Sequence, residues 1–127
     1  MADAICASRP FAAAFRRELA EALPGATLQR IPPDDPLFTT VYGGYDIRQV
    51  ALRDPQATDD AQPIAARVRQ VEPQLEGIEL DGRWAVIFSP FDIRCALESH
   101  EAIGCRGYTQ QDAARIALNV LLYSLNQ

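Results

Sequence analysis

The sequence predicts a mixed α/β domain, and three stretches predict it. One is an amphipathic helix near the start. The second is a hairpin whose second arm is almost wholly apolar. The third is an apolar helix at the end of the chain. In 127 residues with 48% hydrophobic and 23% charged side chains, these elements suit one soluble domain over 1–127.

In the first helix, Ser8 stands as N-cap and Pro10 fits the first turn. Phe11, Phe15, Leu19 and Leu23 recur every four residues, while Arg16, Arg17, Glu18 and Glu21 take the other side. Pro24-Gly25 ends it. Thr27 to Ile31 is a short strand candidate, followed by an irregular loop, Pro32-Pro33-Asp34-Asp35-Pro36. Asp35 before Pro36 reads as a turn or cap residue before it reads as an acid catalyst. Leu37 to Tyr42 fits either a short strand or one helical turn, and Gly43-Gly44 breaks it. Residues 46 to 63, rich in Asp, Gln and Pro, read as a surface excursion. Ile64 to Val71 fits a strand or a short helix.

Gly77 to Leu80, Asp81-Gly82 and Arg83 to Phe88 read as a hairpin, because Asp-Gly is a preferred type I′ pair. The second arm reads as a central strand buried on both faces and closed by Ser89-Pro90. The last helix runs from about Gln110 to Leu125, with Thr109 and Asp112 as a capping-box start. Ala113, Ile116, Ala117, Val120 and Leu121 form a stripe that Leu118, Leu122, Tyr123 and Leu125 widen. Such a helix calls for cover on most sides.

Composition excludes several chemistries. All 12 basic residues are arginine and the only histidine is His100. Without lysine there is no Schiff base and no P-loop lysine. A single histidine makes no multi-histidine metal site. A net charge of −5 with scattered arginines argues against a nucleic-acid partner. No apolar run spans a bilayer, so no membrane partner is expected. The start lacks the basic flank and apolar core of a signal peptide. The chain as given reads as cytoplasmic, with export open for a longer native chain. Three cysteines, Cys6, Cys95 and Cys105, make no disulfide framework and leave at least one thiol unpaired within the chain.

The chemistry-rich segment is Ser89 to Tyr108, where ligands bind in open α/β sheets, beyond a strand's carboxyl end. Asp92, Cys95, His100 and Cys105 mimic a zinc-knuckle spacing with Asp for the first Cys. A Cys95–Cys105 disulfide is a second option. A cysteine nucleophile, Cys6 or Cys95, with His100 as base and Asp92 or Glu98 orienting it, is a third. The ordinary alternative keeps Cys95 as a small packed side chain and His100 on the surface. No cofactor is called for.

One family shares these patterns: Phe11 with Phe15-Arg16; Ile31 to Phe38; Arg83 to Asp92; Cys95 and Glu98; Cys105-Arg106-Gly107-Tyr108; Ala113-Ala114-Arg115 with Asn119 to Leu125. In this order they resemble the bacterial family called domain of unknown function 4159, over nearly the whole chain. The resemblance implies a three-layer α/β sandwich, flavodoxin-like or class I glutamine amidotransferase-like, without its N-terminal part. It assigns no activity. In amidotransferase-like folds the turn matching Asp3 to Ser8 is the nucleophile-elbow position, which draws attention to Cys6, although the elbow glycines are absent.

The resulting expectation is a ligand-binding or interaction domain whose site is built from Asp3, Ser89, Asp92, Glu98, Arg106 and Tyr108. The alternatives are an amidotransferase-like or hydrolase enzyme using Cys6, Cys95, His100 and Asp92, and an assembly module. A half-sandwich leaves apolar faces and strand edges open, so a homodimer or a partner chain completing the sheet is expected.

Overall fold

The structure is a computed structural model and describes residues 1–56, 65–99 and 103–127. The elements in order are β1 (Ala2–Asp3), α1 (Arg9–Ala22), β2 (Gln29–Arg30), β3 (Val50–Gln56), β4 (Ala65–Val71), β5 (Glu76–Leu80), β6 (Arg83–Ser89), α2 (Arg94–Leu97), β7 (Gly107–Tyr108) and α3 (Gln110–Leu125). They form a mixed α/β fold with two sheets. One has the order β1-β6-β5-β2 and the other β4-β3-β7. β1 runs parallel to β6, whereas the other strand pairings are antiparallel.

β6 organises the layers. Successive side chains on a strand point to opposite faces. Phe88 packs with Ala4 and Ala12 under α1, and its ring stacks on Phe15 at 4.6 Å. Ile87 faces the main core, where Val50 and Leu52 of β3 meet Ile116, Val120 and Tyr123 of α3. The sheet is therefore covered by α1 on one face and by α3 with the second sheet on the other. α1 starts as its sequence requires, with Ser8 Oγ accepting from Phe11 N–H. Its apolar face is only partly covered, since Ala12 is buried and Phe11 remains exposed.

The β5–β6 hairpin forms with Asp81 and Gly82 both at positive φ, 52° and 76°, as a type I′ turn demands. β6 is the central strand expected, between β1 and β5, but its burial on both faces needs correcting. Only Ile87, Phe88 and Ser89 are buried, and Arg83 and Ala85 are exposed. The reason is that β1 pairs only with Phe88 and Ser89, which leaves the first half of β6 open on that edge.

Residues 46 to 63 are not simply a surface excursion. Val50 to Gln56 is the middle strand of the second sheet, and Val50 and Leu52 are fully buried; residues 57–63 lie outside the described residues. Pro55 disguised the strand. It is tolerated because β7 pairs only with Leu52 and Arg53, so among the described residues β3 has a single neighbouring strand at Pro55. The Ile64 to Val71 segment resolves as strand β4, with Ile64 outside the described residues. Leu37 to Tyr42 resolves as a 3-10 turn, Pro36–Phe38, capped by Asp35 accepting from Leu37 N–H at 2.8 Å.

α3 spans the expected residues but departs from expectation at two points. Thr109 makes no side-chain cap, because Asp112 is drawn inward to accept from Ala51 N–H at 2.7 Å and from Arg115. Cover is also one-sided: Leu118, Leu121 and Leu125 are exposed.

Candidate functional site

The carboxyl ends of the parallel strands β1 and β6 lie side by side, where α/β sheets bind ligands. Two buried aspartates join the segments that meet there. Asp3 accepts from Ile93 N–H, Arg94 N–H and the Arg94 guanidinium at 3.0–3.2 Å. Asp92 accepts from Cys6 N–H at 2.6 Å and from Cys95 N–H at 2.9 Å. Each carboxylate therefore satisfies backbone donors that would otherwise lose their hydration without replacement. Gly107 lies tight against Asp92: a Cβ there would sit 2.8 Å from that of Asp92. Only glycine lets β7 approach so closely.

This convergence brings Cys6 and Cys105 together, and they form a disulfide with a Cα–Cα distance of 4.4 Å. The partner of Cys105 is thus Cys6, and not Cys95 as in the disulfide option raised from the sequence. Cys95 is held on α2 and is the free thiol. Its hydrogen bond to the Asp92 carboxylate, then burial, then the charges of Asp92, Glu98 and Asp3 push the thiol above its ordinary value. A thiol tuned in that direction is a poor nucleophile near neutral pH. Cys6 is oxidised, and it lies in the left-handed region (φ 52°), as does Ala7 (φ 54°), between β1 and α1.

The other expected residues fall into two groups. Ser89 and Tyr108 are completely buried. The Ser89 hydroxyl donates to Phe91 O and accepts from Phe91 N–H, while the Tyr108 hydroxyl accepts from Gln74 N–H. Burial pushes the Tyr108 phenol up to about 12. Arg106 and Glu98 reach the surface side of the junction, Arg106 paired with Asp54. His100 lies outside the described residues. Of the zinc-like set Asp92, Cys95, His100 and Cys105, Cys105 is bonded to Cys6 and holds no thiolate. Among the described residues no group of three or more His, Cys, Asp or Glu is placed to hold a metal ion.

Beside the disulfide a cleft of about 220 Å³ opens between α1 and the segment after β6, lined by Arg9, Ala12, Arg16, Pro90, Phe91 and Arg106. Arg9 and Arg16 belong to no site expected from the sequence, which places Arg16 on the solvent side of α1. The available signal was the helical spacing of Arg9, Ala12 and Arg16, which puts them on one face.

A match to a family model covers residues 1–125. The chain belongs to the family described as domain of unknown function (DUF4159). No curated protein and no solved structure matches it. For this DUF4159 domain the family therefore supplies no catalytic residues. No helix among the described residues is long and apolar enough to cross a membrane.

Proposed function

We propose that this DUF4159 domain is a non-catalytic ligand-binding or interaction module, with its site at the carboxyl ends of β1 and β6. The observation that carries this reading is how the reactive groups there are engaged. Asp3 and Asp92 hold backbone N–H groups, Cys6 is joined to Cys105, and the Cys95 thiol is pushed up. Such a junction keeps its shape and offers no prepared acid, base or thiolate. The test is alkylation by iodoacetamide without reductant, followed by mass spectrometry. One cysteine, Cys95, is expected to react, more slowly than a free thiol near neutral pH. A fast-reacting Cys95 would overturn the reading.

A three-layer, amidotransferase-like arrangement is the finer fold reading, supported by the parallel β1–β6 pair and by helices on opposite faces of their sheet. It favours one enzymatic alternative, because Cys6 stands in a left-handed strand-to-helix turn like a nucleophile elbow. In that alternative, reduction would free Cys6 to attack a carbonyl. Ester or amide hydrolysis by reduced protein, lost in Cys6→Ser, would establish it. The disulfide also supports residence in an oxidising compartment rather than the cytoplasm.

The assembly reading commits to a second copy of this chain. It rests on the uncovered stripe of Leu118, Leu121 and Leu125, spaced along one side of α3. A melting temperature that rises with protein concentration is expected. A constant value across a hundredfold dilution would remove the dimer.

A further inference from the structure

We infer that the arginine-lined cleft beside the Cys6–Cys105 disulfide binds a small dianion, a phosphate monoester or dicarboxylate. This rests on the ligand-binding reading above and names the ligand class.

Charge carries the argument. Arg16 is neutralised by Glu76 at 2.5 Å and lies over the Phe88 ring at 5.4 Å. Arg106 shares Asp54 with Arg69, so two guanidinium groups meet one carboxylate. The Arg9 guanidinium makes no hydrogen bond or ion pair among the described residues. Among the described residues, the guanidinium groups that line the cleft are thus only partly neutralised by the carboxylates paired with them. The cleft also lies at the amino end of the 14-residue helix α1, whose first turn contains no acidic residue to offset the positive end of the helix dipole. Guanidinium groups suit this ligand because their planar forks match carboxylate and phosphate oxygens in pairs. Pro90 and Phe91 supply an apolar wall for a short carbon stem. A volume of about 220 Å³ suits a small solute.

Isothermal titration of the oxidised full chain with inorganic phosphate, succinate and neutral glycerol tests this. Phosphate and succinate are expected to bind and glycerol not, with affinity falling as salt is raised. Arg9→Gln removes the unpaired charge from an exposed site and is expected to weaken both anions at least about tenfold. Arg17→Gln, whose parent side chain pairs with Glu18 outside the cleft, is expected to leave binding unchanged. Anions binding no better than glycerol, or an Arg9→Gln chain binding as tightly as the parent, would overturn the inference. Crystals soaked with neutral and anionic fragments separate the two readings. Neutral compounds seated against Phe91 while anions stay out would overturn the dianion and keep a ligand site. A cleft that takes neither set would overturn both.

Discussion

At the residue scale, Asp92 shows how a side chain with catalytic chemistry becomes a structural one. It is 3% exposed, and its two oxygens take the N–H groups of Cys6 and Cys95, 86 and 3 residues away. Asp92→Ala leaves both donors without a protein partner. A loss of about 2–4 kcal/mol is expected, read from urea unfolding of oxidised protein. Asp92→Asn keeps one accepting oxygen and should fall between. Tyr108 gives a pH signature. Its folded pKa is raised from 10.0 to about 12, so the folded state holds its proton more tightly than the unfolded state. The stability this confers is complete below about pH 10 and lost as pH rises toward 12. Melting temperatures across that window, with Cys95 blocked, should fall less steeply in Tyr108→Phe than in the parent.

At the element scale, α3 is anchored by a polar residue inside its apolar stripe. Asn119 is 2% exposed, accepts from Tyr45 N–H, and donates to the carbonyls of Leu37 and Tyr45. It thereby pins the 37–45 segment to the helix, and a Cβ on Gly44 would collide with its side-chain amide. Asn119→Ala is expected to cost about 2–3 kcal/mol. Gly44→Ala should destabilise the parent but cost clearly less in the Asn119→Ala background. A double-mutant cycle measures that coupling, and strict additivity would refute it. The same element shows where periodicity misleads. The apolar run at the end of α3 called for cover on most sides, yet Leu118, Leu121 and Leu125 remain exposed because this chain packs only one flank. Periodicity reports how much apolar surface a helix carries but not what meets it.

At the scale of the whole molecule, the Cys6–Cys105 bond ties the first and last thirds of the chain across 99 residues. Closing so long a loop in the unfolded chain is worth about 3–5 kcal/mol in the chain-entropy model. Reduction, or Cys105→Ser, should therefore lower the denaturant midpoint markedly, whereas Cys95→Ser should move it little. Equal midpoints for oxidised and reduced protein would show that the bond contributes nothing to stability. Legibility followed the range of the interactions. Helices α1 and α3 and the Asp81-Gly82 hairpin were readable because apolar spacing, the Ser8 cap of α1 and turn residues act between near neighbours. β3 was not, because Pro55 is acceptable only where β7 has already ended.

By itself, the sequence determined the two long helices, the hairpin, the DUF4159 membership and the absence of lysine chemistry, all of which rest on local pattern or on composition. Only the tertiary structure decided that Cys6 rather than Cys95 pairs with Cys105, that Asp3 and Asp92 hold backbone, and that Arg9 and Arg16 face Arg106 across a cleft. Those facts depend on segments 86 to 99 residues apart meeting at the ends of β1 and β6. Spacing along a chain carries no information about which distant side chains will share one junction; strand order and register decide it.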